Sequence, residues 1–156
     1  MEKERKEEVY QRVKDQIKAT LEGETDLIAS MATIACLLHH SFDYLSWTGF
    51  YLVVAPGELL IGPYQGTLGC LHISFDRGVC GAAARREETI IVPDVHQFPG
   101  HIACDPNSKS EIVVPVFNER DELIAVLDVD SAEYDAFGEV DKRHLEEIVT
   151  LLRDKR

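Results

Sequence analysis

The chain is short of positive charge: 16 Lys and Arg stand against 28 Asp and Glu, leaving a formal charge of −12. Such a surface repels phosphate backbones, and no Lys/Arg cluster interleaved with aromatic residues offsets it, so no nucleic-acid partner is expected. No apolar run approaches the roughly 20 residues needed to cross a bilayer, and no membrane partner is expected either. Residues 2–8, EKERKEE, are too charged for a secretory signal, which sets the expected location in the cytoplasm. A CxxC pair is also missing. The gaps between Cys36, Cys70, Cys80 and Cys104 match no common zinc module, so neither a metal nor another cofactor is expected. A site assembled from those thiols with His72, His96 or His101 is the weaker alternative. Four cysteines in a reducing compartment point to redox chemistry more than to a disulfide framework.

What remains is enough for one domain spanning 1–156, since a chain of 156 residues buries about two thirds of its unfolded surface without staples. Val9, Val13, Ile17 and Leu21 recur every fourth residue until Gly23, which predicts an amphipathic helix within 1–23 suited to packing or dimerisation. Thr25 is the expected N-cap of a second helix whose stripe runs Leu27, Ile28, Met31, Ile34, Ala35, Leu38. Cys36 falls in that pattern and reads as a small buried hydrophobe.

From Ser46 the period drops to two. Trp47, Gly49, Tyr51 and Val53 share one face of a strand, and Thr48, Phe50, Leu52 and Val54 the other. Gly49, between two aromatic residues, is expected to leave a gap on their face that admits a small ligand. Pro56 and Gly57 suit a type II turn, so 59–64 returns as the hairpin partner. Residues 70–73 read as a short strand opening at Cys70, and an Ala-rich helix follows Gly78 and ends in Arg85 and Arg86. Residues 89–92, 110–117 and 122–130 are further strands, and the last helix covers 139–154. Hairpin connections imply an α+β fold: one antiparallel sheet with the helices mainly on one face.

Two cysteines compete as the reactive thiol. Cys104 lies in the loop 99–105, PGHIACD, where Gly100 permits a turn and His101 would lower the thiol's pKa if close and charged. Cys80 lies at the start of the Ala-rich helix, where the macrodipole favours a thiolate. Asp128 and Asp130, two apart in an otherwise apolar strand, face the same way, and Glu111 can approach them across the hairpin. Buried carboxylates without cations to pair them invite a ligand's ammonium group, unless these are strand ends that reach solvent.

The runs GPYQGTLGC (62–70), GVCG (78–81), VPDVHQFPGHIACD (92–105), SEIVVPV (110–116) and LDVDS (127–131) resemble the free methionine-(R)-sulfoxide reductases, single GAF-domain enzymes. The resemblance implies a six-stranded antiparallel GAF fold, often a homodimer, acting on free methionine sulfoxide and recycled by thioredoxin. It places Cys104 as the cysteine that attacks the sulfoxide, Cys70 as the principal resolving thiol and Cys80 as an auxiliary one. Glu111, Asp128 and Asp130 match the family's acidic cluster, Trp47 and Tyr51 its aromatic wall; Cys36 matches nothing. The attack would leave a sulfenic acid at Cys104 that a second thiol, Cys70 or Cys80, condenses to a disulfide. The competing expectation is a GAF-type sensor that binds a small molecule without catalysis; fold alone does not separate the two. A sensor has no need of three thiols around one pocket, nor has this chain an evident output module.

Overall fold

The computed structural model describes residues 1–101 and 104–156. Two helices, α1 (Lys3–Thr20) and α2 (Leu27–Ser41), precede the long hairpin of β1 (Leu45–Ala55) and β2 (Glu58–Gly66). Then come β3 (His72–Ser74), α3 (Gly78–Arg86), β4 (Ile90–Val92), the hairpin of β5 (Ser110–Phe117) and β6 (Leu123–Ser131), and α4 (Glu139–Thr150). All strand pairs are antiparallel, in the order β3-β2-β1-β6-β5-β4.

The two-residue period divides this sheet into two faces with different work. Phe50, Leu127 and Val114 pair in one row across β1, β6 and β5 and are buried under α1, α2 and α4, where most of the apolar core lies. On the other face the rows carry Trp47, Tyr51, Val126 and Val113, and α3 is the α-helix that contributes to it, through Val79, Cys80, Ala83 and Ala84. With three helices on one face, the single short helix on the other leaves room for a pocket.

A buried polar group holds α1 in place. The Asp141 carboxylate accepts from Lys6 Nζ at 2.7 Å and Tyr10 OH at 2.6 Å, and also from Gly138 N at 2.8 Å, which caps α4. Lys6 Nζ also donates to the Ala136 carbonyl at 2.7 Å. These bonds compensate the burial of both charges. No helix among the described residues is long and apolar enough to cross a membrane.

Four local expectations are corrected. Asp26, not Thr25, caps α2: its side chain accepts from Ala29 N at 2.7 Å, an Asx bond that Thr25 stands one residue too early to make. Ile28 is 49% exposed and Cys36 is exposed, because the buried stripe of α2 is Ser30, Met31, Ile34, Ala35 and Leu38, and Cys36 falls outside it. Cys70 does not open a strand; pairing with β2 begins at His72, leaving Cys70 in the preceding loop. The space over Gly49 is not open, for a Cβ there would lie 2.3 Å from Tyr64 Cβ and 2.7 Å from the Trp47 ring.

Candidate active site

Register builds the site. Trp47, Asp130 and Glu111 stand in one row across β1, β6 and β5, and Gly49, Asp128 and Val113 in a row two residues along. Because successive residues alternate faces, all three acids emerge on the face beneath α3. Glu111 is 6% exposed and Asp128 5%, which removes the reading of those two as strand ends in solvent, while Asp130 is half-buried.

Burial first, then mutual repulsion, holds their protons on. Asp128 is pushed up to about 8, by desolvation and then by the Asp130 charge. Glu111 lies well above the usual carboxylate range through burial and the Asp128 charge, and Asp130 through burial and the Glu111 charge. A cluster in this condition keeps acidic protons available at neutral pH.

Cys80 roofs the cluster from the first turn of α3, 5% exposed. Burial and then the Asp128 and Glu111 charges push its thiol well up, so the helix terminus does not make it a thiolate as its position suggested. The low-dielectric surroundings and adjacent acids outweigh the helix dipole.

At the mouth of the same pocket Cys70 and Cys104 form a disulfide, their Cα atoms 5.5 Å apart. Two loops otherwise distant in sequence meet there. Thr67 Oγ1 donates to the Asp105 carboxylate at 2.9 Å, and Gly78 N to the Gly100 carbonyl at 3.1 Å, which ties the cysteine loop to the start of α3. Gly100 itself has φ +76, the left-handed turn expected of it. Ile102 and Ala103 of that loop lie outside the described residues. His101 lines the pocket, but burial and the neighbouring His96 lower its pKa, so it supplies no fixed positive charge to a thiol.

One wall is aromatic. Trp47 stacks on Tyr51 with centroids 5.5 Å apart and on Tyr64 at 5.1 Å, a sandwich that Gly49 makes possible by letting Tyr64 close over it. Tyr51 stays a phenol, its pKa raised by burial and the Asp128 charge.

This arrangement of fold and pocket matches a known family. The family model described as "GAF domain" covers residues 24–154. The free methionine-R-sulfoxide reductase of Saccharomyces cerevisiae is 39% identical over 94% of this chain and 85% of its own. The chain belongs to the GAF family, in its free methionine-R-sulfoxide reductase group. GAF domain-containing protein A of Dictyostelium discoideum is 46% identical over 94% of this chain and 92% of its own. The solved free methionine-R-sulfoxide reductase of Neisseria meningitidis, in complex with its substrate, superposes with a TM-score of 0.87 at 43% identity, covering 92% of this chain and 86% of that one.

In this GAF domain seven of the eight residues singled out in the sequence line the pocket, Cys104 at the mouth, Cys80, Glu111, Asp128 and Asp130 at the floor, Trp47 and Tyr51 at the side, and the eighth, Cys70, is held there by its disulfide to Cys104. Cys36 stays apart on α2. The sequence reading passed over Arg77, the one Lys or Arg lining the pocket among the described residues, and Ser108. Arg77 sits at the exposed rim ahead of α3, in a turn whose position was legible but whose direction was not. Ser108 Oγ and Trp47 Nε1 are buried without hydrogen-bond partners among the described residues. Two such orphans around one pocket suit a polar guest.

Proposed function

We propose that this GAF domain reduces free methionine-R-sulfoxide to methionine, with Cys104 as attacking thiol and Cys70 as the thiol that resolves it. The observation that carries the reading is the Cys70–Cys104 pairing at the mouth of a pocket floored by three crowded carboxyls. The reductase names of the yeast and Neisseria relatives support the same substrate class.

The chemistry follows from the groups present. The sulfur of Cys104 attacks the sulfoxide sulfur, and the sulfoxide oxygen is protonated by the acidic floor, whose raised pKa values keep a proton available at neutral pH. Methionine leaves and Cys104 carries the oxygen as a sulfenic acid. The Cys70 thiol displaces it as water, forming the disulfide. In sum, a sulfoxide and two thiols give a thioether, a disulfide and water. A dithiol protein of the thioredoxin class then restores both thiols by exchange. Cys80 serves at the floor in this reading, its thiol too buried and too basic to exchange as readily as Cys70.

Selectivity for the free amino acid comes from its two charges. The acidic floor accepts the ammonium group, relieving repulsion among the carboxyls, while Arg77 and the first turn of α3 meet the carboxylate. The methyl sulfoxide end lies against Trp47 and Tyr51. A peptide-bound methionine sulfoxide offers neither charge.

The test is methionine release from free R- and S-sulfoxide and from a peptide-bound sulfoxide, with thioredoxin and its reductase as electron source. Reduction of the free R form alone is the expected result. No reduction of any form, with the protein folded and its thiols verified as reduced, would overturn the proposal in favour of a ligand-binding sensor.

A further inference from the structure

The floor of the pocket combines a thiol with carboxylates, a donor set that amine recognition alone does not call for. One ligand atom each from Cys80, Glu111 and Asp128 lie within 4.8 Å of one another. Three donors at about 2.0–2.3 Å from a tetrahedral zinc ion stand roughly 3.3–3.8 Å apart, a difference that side-chain rotation closes. The three come from separate elements, α3, β5 and β6, so the fold itself brings them together. Asp128 is 5% exposed, and the groups beside its carboxyl include the other members of the set, Glu111 and Cys80. The Ser108 hydroxyl, on a residue 7% exposed and without a hydrogen-bond partner among the described residues, lines the same pocket. Arg77, the one Lys or Arg lining the pocket among the described residues, sits at its exposed rim.

We propose that Cys80, Glu111 and Asp128 form a site for a borderline-soft divalent cation such as Zn²⁺, whose binding shuts the pocket to its substrate. Thiolate selects such an ion over Mg²⁺ or Ca²⁺, and three protein ligands leave the fourth position to water. On binding, a metal–sulfur bond forms at Cys80 and the thiol proton passes to solvent, together with any proton the two carboxyls hold; no electron moves. The ion occupies the place that the reductase reading gives to the ammonium group, so the competition rests on that reading while the site does not. A free-zinc surge would then switch the enzyme off reversibly without touching Cys70 or Cys104.

In the disulfide form Cys70 and Cys104 cannot ligate, which leaves Cys80 and the exposed Cys36, its Sγ 3.9 Å from His40 Nδ1, as the free thiols. Cd²⁺ is titrated into it while the ultraviolet thiolate-to-cadmium charge-transfer band and the released protons are followed. A band saturating at one ion per chain is expected in Cys36→Ser, lost when Cys80→Ser is added, and shifted to roughly tenfold or higher Cd²⁺ when Asp128→Asn is added. Free methionine added to the wild type should raise the Cd²⁺ needed for half-saturation. No band in Cys36→Ser, a band surviving when Cys80→Ser is added to it, or equal affinity when Asp128→Asn is added would each overturn the site. Uptake indifferent to methionine would overturn the competition. The metal titration uses no turnover, so its failure leaves the sulfoxide assay to be judged on its own.

Discussion

Replacing Asp128 by Asn should stabilise the fold at neutral and alkaline pH while impairing the pocket. Asp128 titrates at about 8 instead of the ordinary 3.8 because burial and the Asp130 charge disfavour its ionised form. Between those values the folded chain holds a proton that the unfolded chain has released, so stability falls as pH rises. At about 1.4 kcal/mol per pH unit, the whole interval would amount to about 6 kcal/mol if Asp128 titrated alone. It does not, since Glu111 and Asp130 press on the same protons and one substitution removes only part of the coupled titration. A gain of roughly 1–3 kcal/mol at pH 8 is expected, shrinking towards pH 4 and vanishing below 3.8, where both forms of the chain hold the proton. Urea denaturation of wild type and Asp128→Asn, both as the disulfide, at intervals from pH 4 to pH 9 reads this directly. The variant's stability should decline less steeply with pH, and its sulfoxide reduction should drop at least about tenfold. Parallel pH dependences, or a variant less stable than wild type at pH 8, would refute the account of buried, repelling carboxyls.

Other outcomes follow from the same geometry. Cys104→Ser should release no methionine, Cys70→Ser about one equivalent before stalling with thioredoxin as the reductant, and Cys36→Ser should turn over near the wild-type rate; a single-turnover assay separates the three. Gly49→Ala forces a methyl group into the Trp47–Tyr64 contact and should cost about 1–3 kcal/mol, read as a lower urea midpoint. Asp141→Ala leaves Lys6 buried without its carboxylate and should cost about 3–5 kcal/mol, while the double variant Asp141→Ala/Lys6→Met, which removes both charges, should cost less. Equal losses in those two variants would show that the pair contributes packing rather than charge compensation.

Much of the fold was legible locally. The alternation in β1, the Pro56-Gly57 turn and the four-residue spacing of α1 are properties of short segments, and each segment does what its own side chains dictate. So was the tension in β6, where two acids two residues apart among apolar neighbours had to share a face. Cys36 shows the limit of this reading, since its neighbours follow a helical stripe but its own angle on α2 turns it outward.

By itself, then, the sequence determined the elements, the shared face of Asp128 and Asp130, and a shortlist of thiols, because backbone geometry and side-chain period act over a few residues. Tertiary structure alone decided which thiols meet. Cys70 and Cys104, 34 residues apart, are joined by the meeting of two loops, and Cys80 is lowered onto the acids by the packing of α3 on β5 and β6. It also decided the chemistry of those groups. The helix start that would favour a thiolate at Cys80 lies over buried carboxyls, and desolvation with like charge prevails over the dipole. No local pattern encodes that, because proton affinity depends on what the rest of the chain brings within a few ångströms.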